Sequence, residues 1–134
     1  MRNVLYGKCV RCGRTYEATP DLTTCRCGGI LDITYDYDYI KARLTKETLA
    51  ARADRSMWRY RELLPIEETT ENTPLRVGNS PLYEEPRLAE LLGLKRLYVK
   101  DDGQNPTASL KDRASAMAVA KAREAGAKII ACSS

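Results

Sequence analysis

Histidine is absent from this 134-residue sequence, and so is phenylalanine. Without histidine there is no His-based catalytic triad, no imidazole general base and no imidazole metal ligand. Acid–base chemistry must then rest on lysine, carboxylates, tyrosine or water. Without phenylalanine, aromatic packing falls to tyrosine and Trp58. Long apolar runs are missing too: charged residues make up 30%, and no stretch approaches the roughly 20 apolar residues that span a bilayer. The opening residues, Met1 to Gly7, lack the apolar core of a secretory signal, so a cytoplasmic protein with no membrane attachment is expected. A strong charge of one sign is also lacking. Lys plus Arg number 22 against 18 Asp plus Glu, a net +4. That mild excess suits a pocket for phosphorylated anions as well as it suits nucleic acid, and decides neither.

Four of the five cysteines stand near the start, as Cys9-Val10-Arg11-Cys12 and Cys25-Arg26-Cys27. The connecting residues 13–24 are short, polar and turn-rich, and Gly28-Gly29 follows at once. Four thiolates gathered by two tight turns form the tetrahedral soft-ligand set that structural Zn²⁺ prefers. The second pair has one intervening residue where the common pattern has two, which makes a less regular knuckle. Two disulfides or four free thiols are the alternatives, and a cytoplasmic setting argues against the disulfides. Extended runs at Asn3–Tyr6, Arg14–Glu17 and Ile30–Tyr35 flank the cysteines. Residues 1–38 therefore read as a zinc-ribbon-like β module with Cys9, Cys12, Cys25 and Cys27 as ligands, too small to bury a core without its metal.

Residues 39–77 read as a helical segment and linker. Ile40, Leu44, Leu49, Met57, Trp58 and Leu63 recur among charged residues, which predicts two helices, the first closing near Ala53 and the second ended by Pro65. Lys41, Arg43, Lys46, Arg52, Arg55, Arg59 and Arg61 are expected to form a solvated basic face. Ile66 to Gly78 is a linker holding a domain boundary. Beyond it the pattern predicts a short strand after Gly78, a helix over Pro86–Leu92 stopped by Gly93, and a buried strand at Leu97–Lys100. A helix from about Ser109 to Ala125 would present Leu110, Ala114, Met117, Ala118, Ala122 and Ala125 on one face. Lys128–Cys132 reads as a further strand with Cys132 buried. Strand, helix, strand is a βαβ unit, so residues 78–134 are expected to open an α/β domain on a parallel sheet.

Within that region the stretch Asn105-Pro106-Thr107-Ala108-Ser109-Leu110-Lys111-Asp112-Arg113 joins a turn-forming Asn-Pro to small hydroxyl residues. It then sets one lysine at the opening of an Ala-rich helix. Helix N-termini favour anions, and a lysine held there is more readily deprotonated. The neutral amine is a nucleophile towards carbonyls. On local pattern alone, the stretch is equally a plain capped helix start, with Ser109 and Asp112 in the S-x-x-D arrangement.

The same stretch resembles the pyridoxal-phosphate lysine signature of fold-type II enzymes, in the form typical of the threonine synthase family. That family usually has Gly and Phe where this chain has Ala108 and Leu110, and Ala108 gives up the freedom to adopt positive φ. Asn72-Thr73-Pro74-Leu75, Gly78-Asn79-Ser80-Pro81-Leu82, Pro86-Arg87-Leu88-Ala89 and Leu97-Tyr98-Val99-Lys100 follow the family's order. Many of its members also carry a Cys-rich ribbon ending in a run similar to Cys27–Asp32. The resemblance covers most of the chain. It implies a tryptophan-synthase-β-like parallel-sheet domain and Lys111 as the Schiff-base lysine of pyridoxal 5′-phosphate. It further implies conversion of O-phospho-L-homoserine and water to L-threonine and phosphate, a carbon–oxygen lyase reaction. Lys100, Thr107 and Ser109 are the candidates for holding the substrate phosphate.

A small-molecule substrate is expected rather than nucleic acid or membrane, with homo-oligomerisation left open. In the family the strand ending in Ser133-Ser134 runs on into a Thr-Gly-Asn-Thr-type loop, and the phosphate cup comes later still. The chain is thus expected to be the N-terminal portion of a larger enzyme, with weak or no catalysis of its own. Serine/threonine dehydratase and cysteine or cysteate synthase are alternatives within the class. A zinc-ribbon binding module with a non-catalytic, enzyme-like tail is the alternative outside it.

Overall fold

A computed structural model describes residues 1–20 and 22–132. The expected strand end at Ser133-Ser134 lies outside the described residues. Three strands, β1 (Val4–Cys9), β2 (Thr15–Tyr16) and β3 (Leu31–Tyr35), form an antiparallel sheet in the order β2-β1-β3. Gly7 faces Tyr16, Cys9 faces Leu31, and the β1–β3 register slips between Val4 and Tyr6. β1 runs on past Tyr6 and so carries Cys9 to the end of the sheet. A bridge between Thr24 and Ile30 brings the second cysteine pair alongside.

Two helices were expected from the pattern of residues 39–64; three shorter elements are present. α1 (Tyr37–Lys41) is capped by Asp36, whose carboxylate accepts from the Tyr39 amide at 2.9 Å. α2 (Lys46–Ala51) is capped by Thr45, with Thr48 reciprocating. A 3₁₀ segment, Met57–Leu63, starts at Ser56 and bends at Tyr60. The small hydroxyl residues explain the difference, because each satisfies backbone N–H groups and restarts the helix. The expected solvated basic face is also corrected at three positions. Arg52 pairs with Glu62, Arg59 donates to the Leu49 carbonyl at 2.8 Å, and Arg61 donates to Asn72 Oδ1 at 2.7 Å and to the Thr70 carbonyl. These half-buried guanidiniums serve carbonyls that no regular helix satisfies.

Met57, Trp58, Ile66, Val77, Ala116 and Ala120 form the core, with Leu64 and Met117 at its margin. Ile66 and Val77 lie at the two ends of the linker, so that segment is fastened to the core at both. The N-terminal sheet is tied to the same region by Asn3, whose Nδ2 donates to the carbonyls of Glu62 (3.0 Å) and Leu64 (2.7 Å).

β4 (Leu82–Glu84) and β5 (Tyr98–Lys100) pair antiparallel, with α3 (Pro86–Leu91) between them in sequence. All residues of β4 and β5 are exposed, so the strand expected to be buried at Leu97–Lys100 is a surface strand here. The long helix α4 (Asp112–Glu124) begins three residues later than expected and buries Asp112, Ala116 and Ala120. Of the face predicted for it, Leu110, Ala114, Ala118 and Ala125 are exposed, and only Met117 and Ala122 are half-buried. Alanine on both sides lets either face pack closely, and the side chains of Trp58, Ile66 and Val77 select the 112–116–120 side. Gly126, at φ +70°, ends α4, with the Ala127 amide donating to Ala122 at 2.9 Å.

Residues 128–132 form no strand, and Cys132 is exposed rather than buried. Among the described residues both sheets are antiparallel and the expected βαβ unit is not formed. A parallel strand is held only by a neighbour's ladder, and residues 128–132 meet none. The architecture is a mixed α/β chain with two small sheets.

Candidate active site and cysteine cluster

The Lys111 loop is braced from both ends. Asn105 is buried, its Oδ1 accepting from the Gly78 amide at 2.9 Å and its Nδ2 donating to the Asp102 carbonyl at 2.9 Å. A tight turn follows, in which the Ala108 amide donates to the Asn105 carbonyl at 2.9 Å with Ala108 at φ +55°. The sequence therefore places an alanine where the backbone takes the left-handed conformation that suits glycine. Thr107 donates through both its amide (2.8 Å) and its hydroxyl (2.5 Å) to the buried carboxylate of Asp112.

That bond corrects the S-x-x-D expectation. Asp112 reaches back to Thr107, Ser109 Oγ accepts from the Lys111 amide at 3.1 Å, and Lys111 is itself the residue before the first helical turn. Its side chain is exposed. A primary amine on a braced loop, at the positive end of a 13-residue helix and beside a serine hydroxyl, is a donor set that fits a phosphorylated aldehyde.

Beneath the loop lies a charged network. Arg113 grips Asp102 through Nε–Oδ2 at 3.0 Å and Nη2–Oδ1 at 2.8 Å, and the Ser80 hydroxyl donates to the same carboxylate. The Arg113 guanidinium, then the Ser80 hydroxyl, hold the Asp102 carboxyl well below the usual carboxylate range, against a smaller opposing effect of burial. The Lys100 amine donates to the Ser80 carbonyl. Gly78 makes this close approach possible. A Cβ there would lie 2.9 Å from the Met57 amide nitrogen and 3.0 Å from Arg113 Nη1, and its φ is +90°.

Of the candidate phosphate-holding residues, Lys100 is thus engaged with Ser80 and Thr107 with Asp112, while the Ser109 hydroxyl accepts from the Lys111 amide. A cavity of about 350 Å³ opens beside the loop, between Thr73–Leu75 and the Thr107, Asp112 and Ala116 side of α4. Sequence reasoning missed Asp102, whereas Ser80 lies in the Gly78–Leu82 stretch already matched to the family. The only signal for Asp102 was its pairing with Asp101 immediately after a strand.

The four N-terminal cysteines converge. Their Sγ atoms all lie within 4.8 Å of one another, with Cys9–Cys27 and Cys12–Cys25 each at 3.6 Å. A disulfide needs about 2.05 Å. A tetrahedron with metal–sulfur bonds of about 2.3 Å has edges near ~3.8 Å, so the donor set fits zinc.

Both knuckles turn on glycine. Gly13 (φ +73°) donates to the Cys9 carbonyl at 2.9 Å, and Gly28 (φ +77°) donates to the Cys25 carbonyl at 2.8 Å. Gly29 leaves room for sulfur, since a Cβ there would stand 2.6 Å from Cys9 Sγ. The Cys27 amide, with help from Tyr16, pulls the Cys25 thiol down to about 6. The Gly29 amide also pulls on Cys27, but the three neighbouring thiols outweigh it and push Cys27 up to about 12. The Tyr16 hydroxyl, 3.1 Å from Cys25 Sγ, was not singled out from the sequence. Its position four residues after Cys12 was the available signal.

Residues 73–134 match the family described as pyridoxal-phosphate dependent enzyme. The chain is 42% identical over 127 residues to the threonine synthase of Methanocaldococcus jannaschii, covering 95% of this chain and 31% of that protein. It is 44% identical over 128 residues to the threonine synthase of Methanosarcina acetivorans, covering 95% of this chain and 30% of that protein. With the threonine synthase of Synechocystis it shares 47% identity over 76 residues, 56% of this chain and 20% of the relative. The chain thus spans about a third of the length of the first two. No solved structure matches it. No helix among the described residues is long and apolar enough to cross a membrane.

Proposed function

We propose that this chain, related over nearly all its length to threonine synthases, is the N-terminal portion of such an enzyme. The reaction is then conversion of O-phospho-L-homoserine and water to L-threonine and phosphate. The observation that carries this reading is the extent of identity, 42% across 127 residues, which includes the braced Lys111 loop. When bound, pyridoxal phosphate supplies the electron sink for chemistry at the substrate's α and β carbons.

The Lys111 amine would hold the cofactor, and as a free primary amine it would carry protons to and from those two carbons. Phosphate leaves from the γ carbon and water adds at the β carbon. Lys100, Thr107 and Ser109 are the proposed contacts for the substrate phosphate, the first two after exchanging their present partners Ser80 and Asp112. Asp112 and Arg113 orient the loop, Asp112 through Thr107 and Arg113 through Asp102. The Cys9, Cys12, Cys25 and Cys27 set is proposed to hold a structural Zn²⁺ in a ribbon-like module over residues 1–38, followed by the helical segment and linker 39–77. Residues 78–134 then open a fold-type II parallel-sheet domain. The setting is read as cytoplasmic.

Assaying the intact protein with O-phospho-L-homoserine, serine and phosphoserine, each as sole substrate, tests the assignment. Phosphate and threonine released from the first alone support it. Turnover of serine in preference would move the protein to a dehydratase, and turnover of none would remove the enzyme reading.

A further inference from the structure

Tyr16 stands at the end of β2 with its hydroxyl 3.1 Å from Cys25 Sγ. Hydroxyl and thiol could each be the donor in that pair, and the state of the sulfur decides between them. The Arg26 amide donates to the same hydroxyl oxygen at 3.3 Å. With Cys25 as a metal-bound thiolate the sulfur carries no proton, so the hydroxyl is the donor of the pair, while its oxygen still accepts from the Arg26 amide. The approach is built into the backbone. The pairing of Gly7 with Tyr16 fixes residue 16 on the sheet, and Arg26 belongs to the second knuckle, between Cys25 and Cys27. The other three sulfurs have no tyrosine partner of this kind among the described contacts.

We propose that Tyr16 is a positioning residue for the metal: its hydroxyl donates to the Cys25 thiolate, orients that ligand and slows release of the ion. The proposal rests on the reading of the four cysteines as a zinc site. Hydrogen bonds to a metal-bound sulfur act from outside the coordination sphere by fixing the ligand and drawing charge from it, and losing such a partner typically lowers metal affinity by about 10–100-fold. They matter more where four thiolates leave the centre with a net negative charge.

The test uses the full chain loaded with Zn²⁺, and separately with Co²⁺ as a spectroscopic probe. Tyr16→Phe removes one oxygen and keeps the ring, and Trp58 fluorescence reports whether the core remains folded. The expected result is transfer of Zn²⁺ to a chelator about tenfold faster, with a shift in the cobalt–thiolate charge-transfer band. Unchanged transfer and an unchanged band would overturn the proposal.

A double-mutant cycle separates the hydroxyl from mere packing. In a Cys25→His chain, which has no thiolate at that position, release should be the same with Tyr or Phe at position 16. A Tyr16→Phe effect that persisted at full size there would overturn the proposal. The cycle also gives an answer if Tyr16→Phe alone abolishes uptake. Failure of the unmodified chain to take up any metal would instead remove the zinc reading itself, and the proposal with it.

Discussion

Arg113 and Asp102 form a two-pronged ion pair, Nε–Oδ2 at 3.0 Å and Nη2–Oδ1 at 2.8 Å, that joins the first turn of α4 to the turn after β5. Ser80 bonds to the same carboxylate, so three segments meet at one charge. Lys111, two residues before Arg113, takes its position from this junction rather than from a helix cap.

Replacing Asp102 with Asn should therefore loosen the Lys111 loop and lower the melting midpoint of the chain by a few degrees at neutral pH. The effect should depend on pH. Asp102 ionises at lower pH in the folded chain than in the unfolded one. Its contribution is accordingly complete above the unfolded carboxylate range near ~4 and is lost as pH falls through and below it. Melting curves of both proteins at neutral pH and at about pH 3 check this, and the gap should narrow in acid.

Ala108→Gly should stabilise the chain. An L-residue in the left-handed region costs about 1–2 kcal/mol, and glycine's extra freedom in the unfolded state returns about 0.4–1 kcal/mol of that. A net gain of about 0.5–1 kcal/mol is expected, measured by urea unfolding. Ala108→Val should shift the curve in the opposite direction.

Two adjacent glycines should fail for different reasons. A Cβ at Gly29 would press on Cys9 Sγ at 2.6 Å, so Gly29→Ala should weaken metal uptake directly. Gly28 has open space around its Cβ position but sits at φ +77°, so Gly28→Ala should cost about 1–2 kcal/mol of folding stability. Its effect on metal affinity, read by chelator competition, should be the smaller of the two.

Stripping the metal should unfold the sheet β2-β1-β3 selectively. Hydrogen exchange should accelerate at residues 4–9 and 31–35, while the amides of α4 beside Ala116 and Ala120 keep their protection. The metal content before stripping should be one zinc per chain.

Much of this was legible from the residues. The cysteine spacing announced a cluster because two tight turns leave thiols few other places to point. Gly93 and Gly126 marked the ends of α3 and α4, since only glycine takes their positive φ at low cost. The start of α4 was less legible, because Asp112 had two partners on offer, the Ser109 amide and Thr107, and no local rule ranks them. The 39–64 region broke into three where Thr45 and Ser56 outcompeted the apolar periodicity. Leu97–Lys100 and Lys128–Cys132 carry the apolar β formers that predict buried parallel strands. Burial and pairing are tertiary properties, and β4 took the one partner role that the described residues supply.

The role of Lys111 is tested most directly by borohydride reduction of the intact, pyridoxal-phosphate-loaded protein, followed by peptide mapping. A phosphopyridoxyl group is expected on Lys111, and it should be lost together with phosphate release from O-phospho-L-homoserine in Lys111→Ala. Labelling at another lysine, or full activity in Lys111→Ala, would contradict it.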